Sequence, residues 1–227
     1  MFTQIGCDEQ GRPERDYQST TYVGSFETAA EFGTRIRAEA FRRGMGRAEQ
    51  IVFLGDGAPW VWELARVNFP GAVQILDLFH ALERLGPLCE GLYGIGTSLA
   101  ESRQEEWAQM FKQDKARDVI AAARTRLQEL NSVTELQREG LERKIAYFEN
   151  HQHRMLYLTY RNEGFFYGPG VIEAGCKTVV GQRLKQSGMF WSEYGAQNVL
   201  ALRCVLMGNL WDLCWDRLQT SGYLAAA

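Results

Sequence analysis

Acidic residues follow two apolar segments in the first half of the sequence, and the first of them is Asp56. It lies in Gly55-Asp56-Gly57, directly after the apolar run 50–54. Ligands of open α/β sheets collect beyond the carboxyl ends of the strands, and glycines leave room there for a phosphate or a metal. The spacing fits a metal ligand, and it equally fits a carboxylate that caps the following helix.

The second candidate is the pair Asp77 and His80. Asp77 is the last residue of the next apolar run, residues 71–77, and His80 follows three residues later. The two side chains are three residues apart across a helix start, so they occupy neighbouring positions of the first turn. A carboxylate and an imidazole can form either a metal pair or a hydrogen-bonded structural pair. Because two ligands do not make a site, the sequence favours the structural pair.

The third candidate is Glu173, in the first turn of a helix that we predict to open at Pro169. The helix dipole favours a carboxylate at that position. Lys177 follows four residues later in the stabilising order, and spacing alone favours an exposed ion pair over a catalytic role. His151 and His153 resemble a metal pair, but no further ligand lies nearby in the sequence, so we predict surface or interface histidines.

The elements that must position these residues change character along the chain. The first part alternates apolar strands with amphipathic helices, which predicts an α/β fold with a mainly parallel sheet. From residue 100 the apolar spacing is helical, and a capping-box sequence at 132–135 separates two helices of a predicted hairpin. The predicted elements are strand 20–26, helix 27–43, strand 50–54, helix 59–67, strand 71–77, helix 78–93, helix 100–130, a helix that starts at the capping box 132–135, helix 169–186 and helix 192–218.

Composition excludes several classes of protein. The apolar content of 45% and charged content of 23% are those of a soluble globular domain, and no apolar run is long enough to span a bilayer. The five cysteines are scattered, which argues against a disulfide framework or a zinc site and favours a reducing cytoplasm. Phosphate-binding GxxxxGK loops, GxSxG elbows and HExxH motifs do not occur in the sequence.

The net charge of −3 argues mildly against a nucleic-acid partner, because phosphate binding requires Lys and Arg. The charge is unevenly distributed, however. Residues 174–203 contain Lys177, Arg183, Lys185 and Arg203. This local basic stretch is a weak signal by itself, since most such runs are solvated helix faces.

Two blocks of sequence together resemble bacterial insertion-sequence transposases of the ISKra type, relatives of the Mutator-like DDE group. The resemblance extends over about residues 3–215. The first block is Val52-Phe53-Leu54-Gly55-Asp56-Gly57-Ala58-Pro59-Trp60-Val61-Trp62, followed by Ile75-Leu76-Asp77-Leu78-Phe79-His80. The second block is Gly170-Val171-Ile172-Glu173, followed by Arg183-Leu184-Lys185 and Gly188-Met189-Phe190-Trp191-Ser192.

The resemblance implies a role for each candidate residue. Asp56 matches the second catalytic carboxylate of the family and Glu173 matches the third, so both would bind metal. Asp77 and His80 match a supporting D/C-x-x-H element after the next strand. The implied cofactor is Mg²⁺ or Mn²⁺, which such enzymes use for in-line displacement at phosphorus.

The family's fold implies a partial RNase H-like α/β core with a mixed or parallel sheet, an inserted α-helical hairpin and C-terminal helices. We expect the core at residues 1–99, the insertion at 100–155 and the C-terminal helices at 156–227. The implied partners are DNA and a further transposase chain, either a second copy or the full-length protein. The residues expected to contact DNA are Lys177, Arg183 and Lys185.

One departure from the family concerns the first catalytic Asp, which the resemblance predicts upstream of the segment matching residues 1–26. Asp8 and Asp16 lie in a polar loop and do not match it. We therefore expect a truncated, catalytically impaired transposase. The alternative is a non-catalytic remnant or regulator that binds DNA or transposase, while an unrelated phosphoesterase would require ligands that the sequence does not supply. The apolar final helix is expected to be buried, in its own domain or against a partner.

Overall fold

The computed structural model describes residues 1–168 and 170–221, except for the side chains of residues 170–172. The chain is mixed α/β and mostly helical, with two small sheets among the described residues. It forms two compact units. Unit 1 comprises Met1–Glu49 and Gly170–Ala227, and unit 2 comprises Gln50–Pro169.

The secondary structure follows the order of the sequence-based elements with several changes. The strands are β1 (Gln4–Cys7), β2 (Pro13–Arg15), β3 (Val52–Gly55) and β4 (Val73–Leu76). The helices are α1 (Ala29–Arg42), α2 (Pro59–Asn68), α3 (Leu78–Tyr93), α4 (Ser98–Phe111), α5 (Ala116–Glu129), α6 (Glu135–His151), α7 (Tyr157–Asn162), α8 (Gly170–Gly175), α9 (Gln182–Leu184), α10 (Glu193–Met207) and α11 (Trp211–Thr220). A π-helical turn, Cys176–Gly181, joins α8 to α9.

Unit 2 contains the parallel pair β3–β4, in which Val52 lies opposite Val73 and Gly55 opposite Leu76. Helix α2 connects the two strands, so the prediction of parallel strands joined by a helix is confirmed for this pair. Pro59 begins α2, where its missing N–H costs no hydrogen bond. The sheet is smaller than predicted, because only these two strands pair within the described part of unit 2.

The core of unit 2 consists of side chains from α2 to α7 packed around β4. Its largest fully buried members are Trp107, Tyr157, Phe111, Phe148, Ile75, Leu76, Leu85, Leu88, Leu92, Ile145 and Met155. Thr134 caps α6 and forms a capping box with Gln137, two residues later than the predicted box. The predicted helical insertion corresponds to α4, α5 and α6. These helices pack on α3, the helix that follows β4.

The prediction of one helix over 100–130 is wrong, because α4 and α5 are separate. The break lies at Asp114, which has a φ of 62°. Its side chain accepts hydrogen bonds from the backbone N–H groups of Leu158 and Thr159 at 2.7 and 3.0 Å. These bonds satisfy N–H groups at the start of α7, and local helical periodicity gives no sign of them.

Unit 1 begins with the antiparallel hairpin β1–β2. The predicted strand 20–26 is wrong, since this segment belongs to no sheet among the described residues. Thr21 instead exchanges two hydrogen bonds with Met1, of 2.7 and 2.8 Å. Tyr22 packs on a small core formed by Val179, Leu200 and Cys204.

Both predicted C-terminal helices are interrupted. Pro169 lies outside the described residues, and the helix that follows it contains the π-helical turn. The final helix divides into α10 and α11 around Asn209, which has a φ of 53°. Helix α10 buries Leu200 and Cys204, whereas α11 buries none of its side chains, so the burial expected of the final helix is found only in α10 within the described chain.

Candidate functional site

The candidate site of unit 2 lies at the carboxyl end of β3 and β4. The turn after β3 brings Asp56 to the surface, where its Oδ1 accepts a hydrogen bond from the Ala58 N–H at 3.0 Å. Ala58 is the N-cap of α2, so Asp56 supports the helix start without being its capping residue. The Gly57 φ of +94° closes the turn in a conformation that favours glycine. Asp56 is thus exposed on a short, well-defined turn.

Asp77 lies at the corresponding position after β4. Its backbone N–H donates to the Gly55 carbonyl at 2.8 Å, which fixes Asp77 to the end of β3. Adjacent strands are about 4.8 Å apart, so the residues that follow paired strand ends are near neighbours. The structure therefore brings Asp56 and Asp77 to one edge of the sheet.

The Asp77 side chain is only 2% exposed and is the N-cap of α3. Oδ1 accepts hydrogen bonds from the backbone N–H groups of Phe79 and His80 at 2.8 and 3.1 Å. Oδ2 is buried and has no hydrogen-bond partner within the described ranges 1–168 and 170–221. Most buried polar atoms are paired, so an unpartnered carboxylate oxygen is a feature that calls for a ligand or a local cost in stability.

His80 accompanies Asp77, with Nδ1 at 3.3 Å from Asp77 Oδ1. This distance allows electrostatic attraction, but Nδ1 makes no hydrogen bond with any described residue. The proximity predicted for the two residues is present, while the hydrogen-bonded pair that the sequence favoured is not formed. Two polar atoms of this pair, Asp77 Oδ2 and His80 Nδ1, are therefore left without partners in the described chain.

Helix α6 contributes two residues that sequence reasoning did not assign to the site. The Tyr147 hydroxyl donates to the Asp56 carbonyl at 3.3 Å. His153 is exposed as predicted, whereas His151 is buried, with 7% exposure, so the prediction of a surface or interface histidine is wrong for His151. Its ring packs on Tyr147 and Trp62, at centroid distances of 4.7 and 5.7 Å.

Burial, together with nearby charges, shifts the pKa of both α6 side chains. Burial raises the pKa of Tyr147 to about 12, with the nearby Arg84 opposing the shift and the Asp56 and Asp77 carboxylates adding to it. Burial, with the charge of Arg154, lowers the pKa of His151 to about 4. Tyr147 is therefore protonated and His151 neutral at neutral pH.

Glu173 lies in unit 1, in α8, and is exposed. No ion pair joins it to Lys177 in the part of the chain that the structure describes, so the structural alternative favoured by spacing is not observed. The π-helical turn begins three residues later. Turns of this kind are rare and occur frequently at functional sites.

The basic residues predicted to bind DNA belong to the same unit. Lys177, Arg183 and Lys185 are exposed. Arg203 is different, because its guanidinium donates to the Thr178 carbonyl and holds the π-helical turn. The basic stretch thus supplies three solvent-facing cations, all of which follow Glu173 in the same unit.

No group of three or more His, Cys, Asp or Glu residues with metal-binding geometry occurs among the described residues. No described helix is long and apolar enough to cross a membrane. Comparison with known proteins finds no matching family model, no similar curated protein and no similar solved structure. The functional assignment therefore depends on the site itself and on the sequence blocks that resemble ISKra-type transposases.

Proposed function

We propose that the chain contributes metal-binding carboxylates to a DDE-type transposase of the ISKra type, in a catalytic domain of RNase H-like fold. The observation that carries this proposal is the pair of carboxylates at the carboxyl ends of β3 and β4. Asp56 is exposed there on a glycine-flanked turn, next to Asp77 with its buried, unpartnered Oδ2. In α/β sheets, ligands bind beyond the carboxyl ends of parallel strands.

The residue types at this edge fit a hard divalent cation. Mg²⁺ prefers oxygen ligands and is usually bound through one or two carboxylates together with water and phosphate oxygens. Asp56 would hold the ion directly, and the resemblance implies a metal-binding role for Glu173 as well. Asp77 and His80 would orient the groups around it, since their unpartnered atoms are available for a bound water or ligand. When bound, the ion would stabilise charge on phosphate oxygens during strand cleavage and transfer.

The RNase H-like part of the proposal is supported by the parallel β3–β4 pair. An RNase H-like sheet has a further strand next to β3. Within the described residues β3 pairs with a strand on one side only. The exposed Lys177, Arg183 and Lys185 would bind the DNA backbone, because such contacts are mainly with phosphate.

A second candidate function is a non-catalytic transposase regulator, and a specific observation favours it. Helices α10 and α11 expose large apolar side chains that a partner could cover. These side chains are Leu202, Leu206, Trp211, Leu213 and Trp215. The family's first catalytic carboxylate has no match in the sequence, so we expect DNA cleavage to be impaired under either function. Metal binding is therefore a sharper test than DNA cleavage.

The test is calorimetric titration of the protein with Mn²⁺, which replaces Mg²⁺ at oxygen-ligand sites. We expect Asp56→Asn and Glu173→Gln each to weaken binding at least tenfold. Glu193→Gln is the matched control, because Glu193 lies in the first turn of α10 in the same unit as Glu173. Wild-type affinity in Asp56→Asn, or an equal loss in Glu193→Gln, would contradict the proposal.

A further inference from the structure

The turn that carries Asp56 is bonded to helix α6 by a residue 91 positions away in sequence, because the Tyr147 hydroxyl donates to the Asp56 carbonyl at 3.3 Å. Tyr147 and His151 are four residues apart, so their side chains lie on one face of the helix. Their rings pack edge to face at a centroid distance of 4.7 Å. One side chain of α6 thus bonds the turn, and a second packs on the first.

The fit between Tyr147 and the turn is close. A Cβ atom on Gly57 would lie 2.3 Å from the Tyr147 hydroxyl, so the tyrosine can approach only because residue 57 is glycine. The tyrosine ring is itself confined. It contacts the rings of Phe148 and His151 edge to face, and the Arg84 guanidinium lies 5.7 Å from its centroid.

We propose that Tyr147 is a positioning residue, which holds the backbone of the Gly55–Gly57 turn and so sets the direction of the Asp56 carboxylate, and that His151 supports it by packing on the tyrosine ring. The role of Asp56 as a metal ligand rests on the proposed function, whereas the holding of the turn does not. A carboxylate on an unsupported glycine-flanked turn would sample many directions, because glycine restricts the backbone least. The bond from α6 restricts this freedom before a ligand binds, which reduces the entropic cost of binding.

This role assigns a function to the helical segment as well as to the two side chains. Helix α6 is anchored in the core of unit 2 by Leu141, Ile145 and Phe148. The face next to this anchor presents Tyr147 to the turn, with His151 packed on the tyrosine ring. Substitutions that shift α6 are therefore expected to act on Asp56 without touching it.

The experiment compares Tyr147→Phe with Tyr160→Phe. Each removes one hydroxyl that donates to a backbone carbonyl of unit 2, at 3.3 Å from Asp56 O and at 3.4 Å from Gln74 O respectively. The first readout is hydrogen exchange at the Ala58 amide, which is bonded to Asp56 Oδ1 and so reports the position of the carboxylate. The second readout is Mn²⁺ affinity.

We expect Tyr147→Phe to accelerate Ala58 exchange by about fivefold, the factor for loss of one neutral hydrogen bond. Tyr160→Phe should leave that amide unchanged. His151→Ala, which removes the ring that packs on Tyr147, should act in the same direction as Tyr147→Phe. Acceleration confined to this turn separates positioning from general destabilisation, which would accelerate exchange throughout α6 and β3.

The two readouts also separate this inference from the proposed function. Faster Ala58 exchange together with weaker Mn²⁺ binding in Tyr147→Phe supports both. Faster exchange in a protein whose wild type does not bind Mn²⁺ supports the holding of the turn and refutes the metal site. Unchanged Ala58 exchange in Tyr147→Phe overturns the inference, whatever the metal affinity.

Discussion

Substitutions of Asp77 can separate the role of its first carboxylate oxygen, which caps a helix, from the role of its second carboxylate oxygen. Oδ1 caps α3 by accepting two backbone N–H groups, while Oδ2 is buried without a partner in the described chain. The substitution Asp77→Asn would keep the capping oxygen, and Asp77→Ala would lose it. Asn and Asp are about equally good N-caps, whereas Ala in their place costs about 1 kcal/mol.

The two variants should therefore move stability in opposite directions. Asp77→Ala leaves the N–H groups of Phe79 and His80 without their acceptor, and we expect it to destabilise the protein by ~1–2 kcal/mol. Asp77→Asn keeps those bonds and replaces a carboxylate oxygen by a neutral amide, which costs less to bury. We expect Asp77→Asn to be neutral or to stabilise by up to ~1 kcal/mol, equivalent to about 2–4 °C in Tm for a chain of this size.

The assay is thermal and urea unfolding of the three proteins in EDTA, repeated with saturating Mn²⁺. Without metal we expect Asp77→Asn to be the most stable of the three proteins, followed by the wild type and then by Asp77→Ala. With Mn²⁺ the wild type should gain more stability than either variant, because binding to the folded state adds to stability. If Asp77→Asn is as unstable as Asp77→Ala in EDTA, Oδ2 has a structural partner and the reasoning is refuted.

Three further predictions concern single positions. Gly57→Ala should destabilise by at least ~1–2 kcal/mol in urea unfolding, because φ is +94° and the new Cβ would lie 2.3 Å from a tyrosine hydroxyl; a neutral effect would contradict this turn geometry. The low pKa of His151, about 4 against an ordinary 6.5, means that the unfolded chain binds a proton between these values and the folded chain does not. Stability should thus fall as pH drops from 6.5 to 4, and His151→Phe should flatten that part of the profile; an unchanged profile would show that this histidine does not cause it. Lys177→Ala should weaken binding to duplex DNA and reduce the slope of log affinity against log salt by about 1, with Lys115→Ala in unit 2 as the control; equal effects would argue against a specific DNA surface.

The part of the fold that sequence predicts best is the segment from β3 to α3. Its apolar runs are bounded by Gly55-Asp56-Gly57 and by Asp77, which caps the next helix. Turn glycines and helix-capping residues are local signals, so they can be recognised without knowledge of the tertiary structure. The same local signals placed Asp56 and Asp77 at the ends of neighbouring strands.

The errors arise where distant residues decide the local structure. Thr20 and Thr21 have strand-like composition, but no neighbouring strand pairs with their segment in the described residues. Asp114 interrupts a helical pattern because its side chain bonds the start of α7, more than 40 residues away. A weak signal for Tyr147 and His151 did exist, since their spacing of four on an amphipathic helix places two polar aromatic groups on one face.

Metal-directed cleavage of the backbone is the most direct measurement of whether Asp56 binds a divalent ion. Fe²⁺ loaded in place of Mg²⁺, with ascorbate and peroxide, generates hydroxyl radicals that cut the chain next to the metal. We predict cuts beside residue 56, suppressed by excess Mg²⁺ and absent in Asp56→Asn. An uncut chain at this position, or cuts that Mg²⁺ does not suppress, would contradict the metal site.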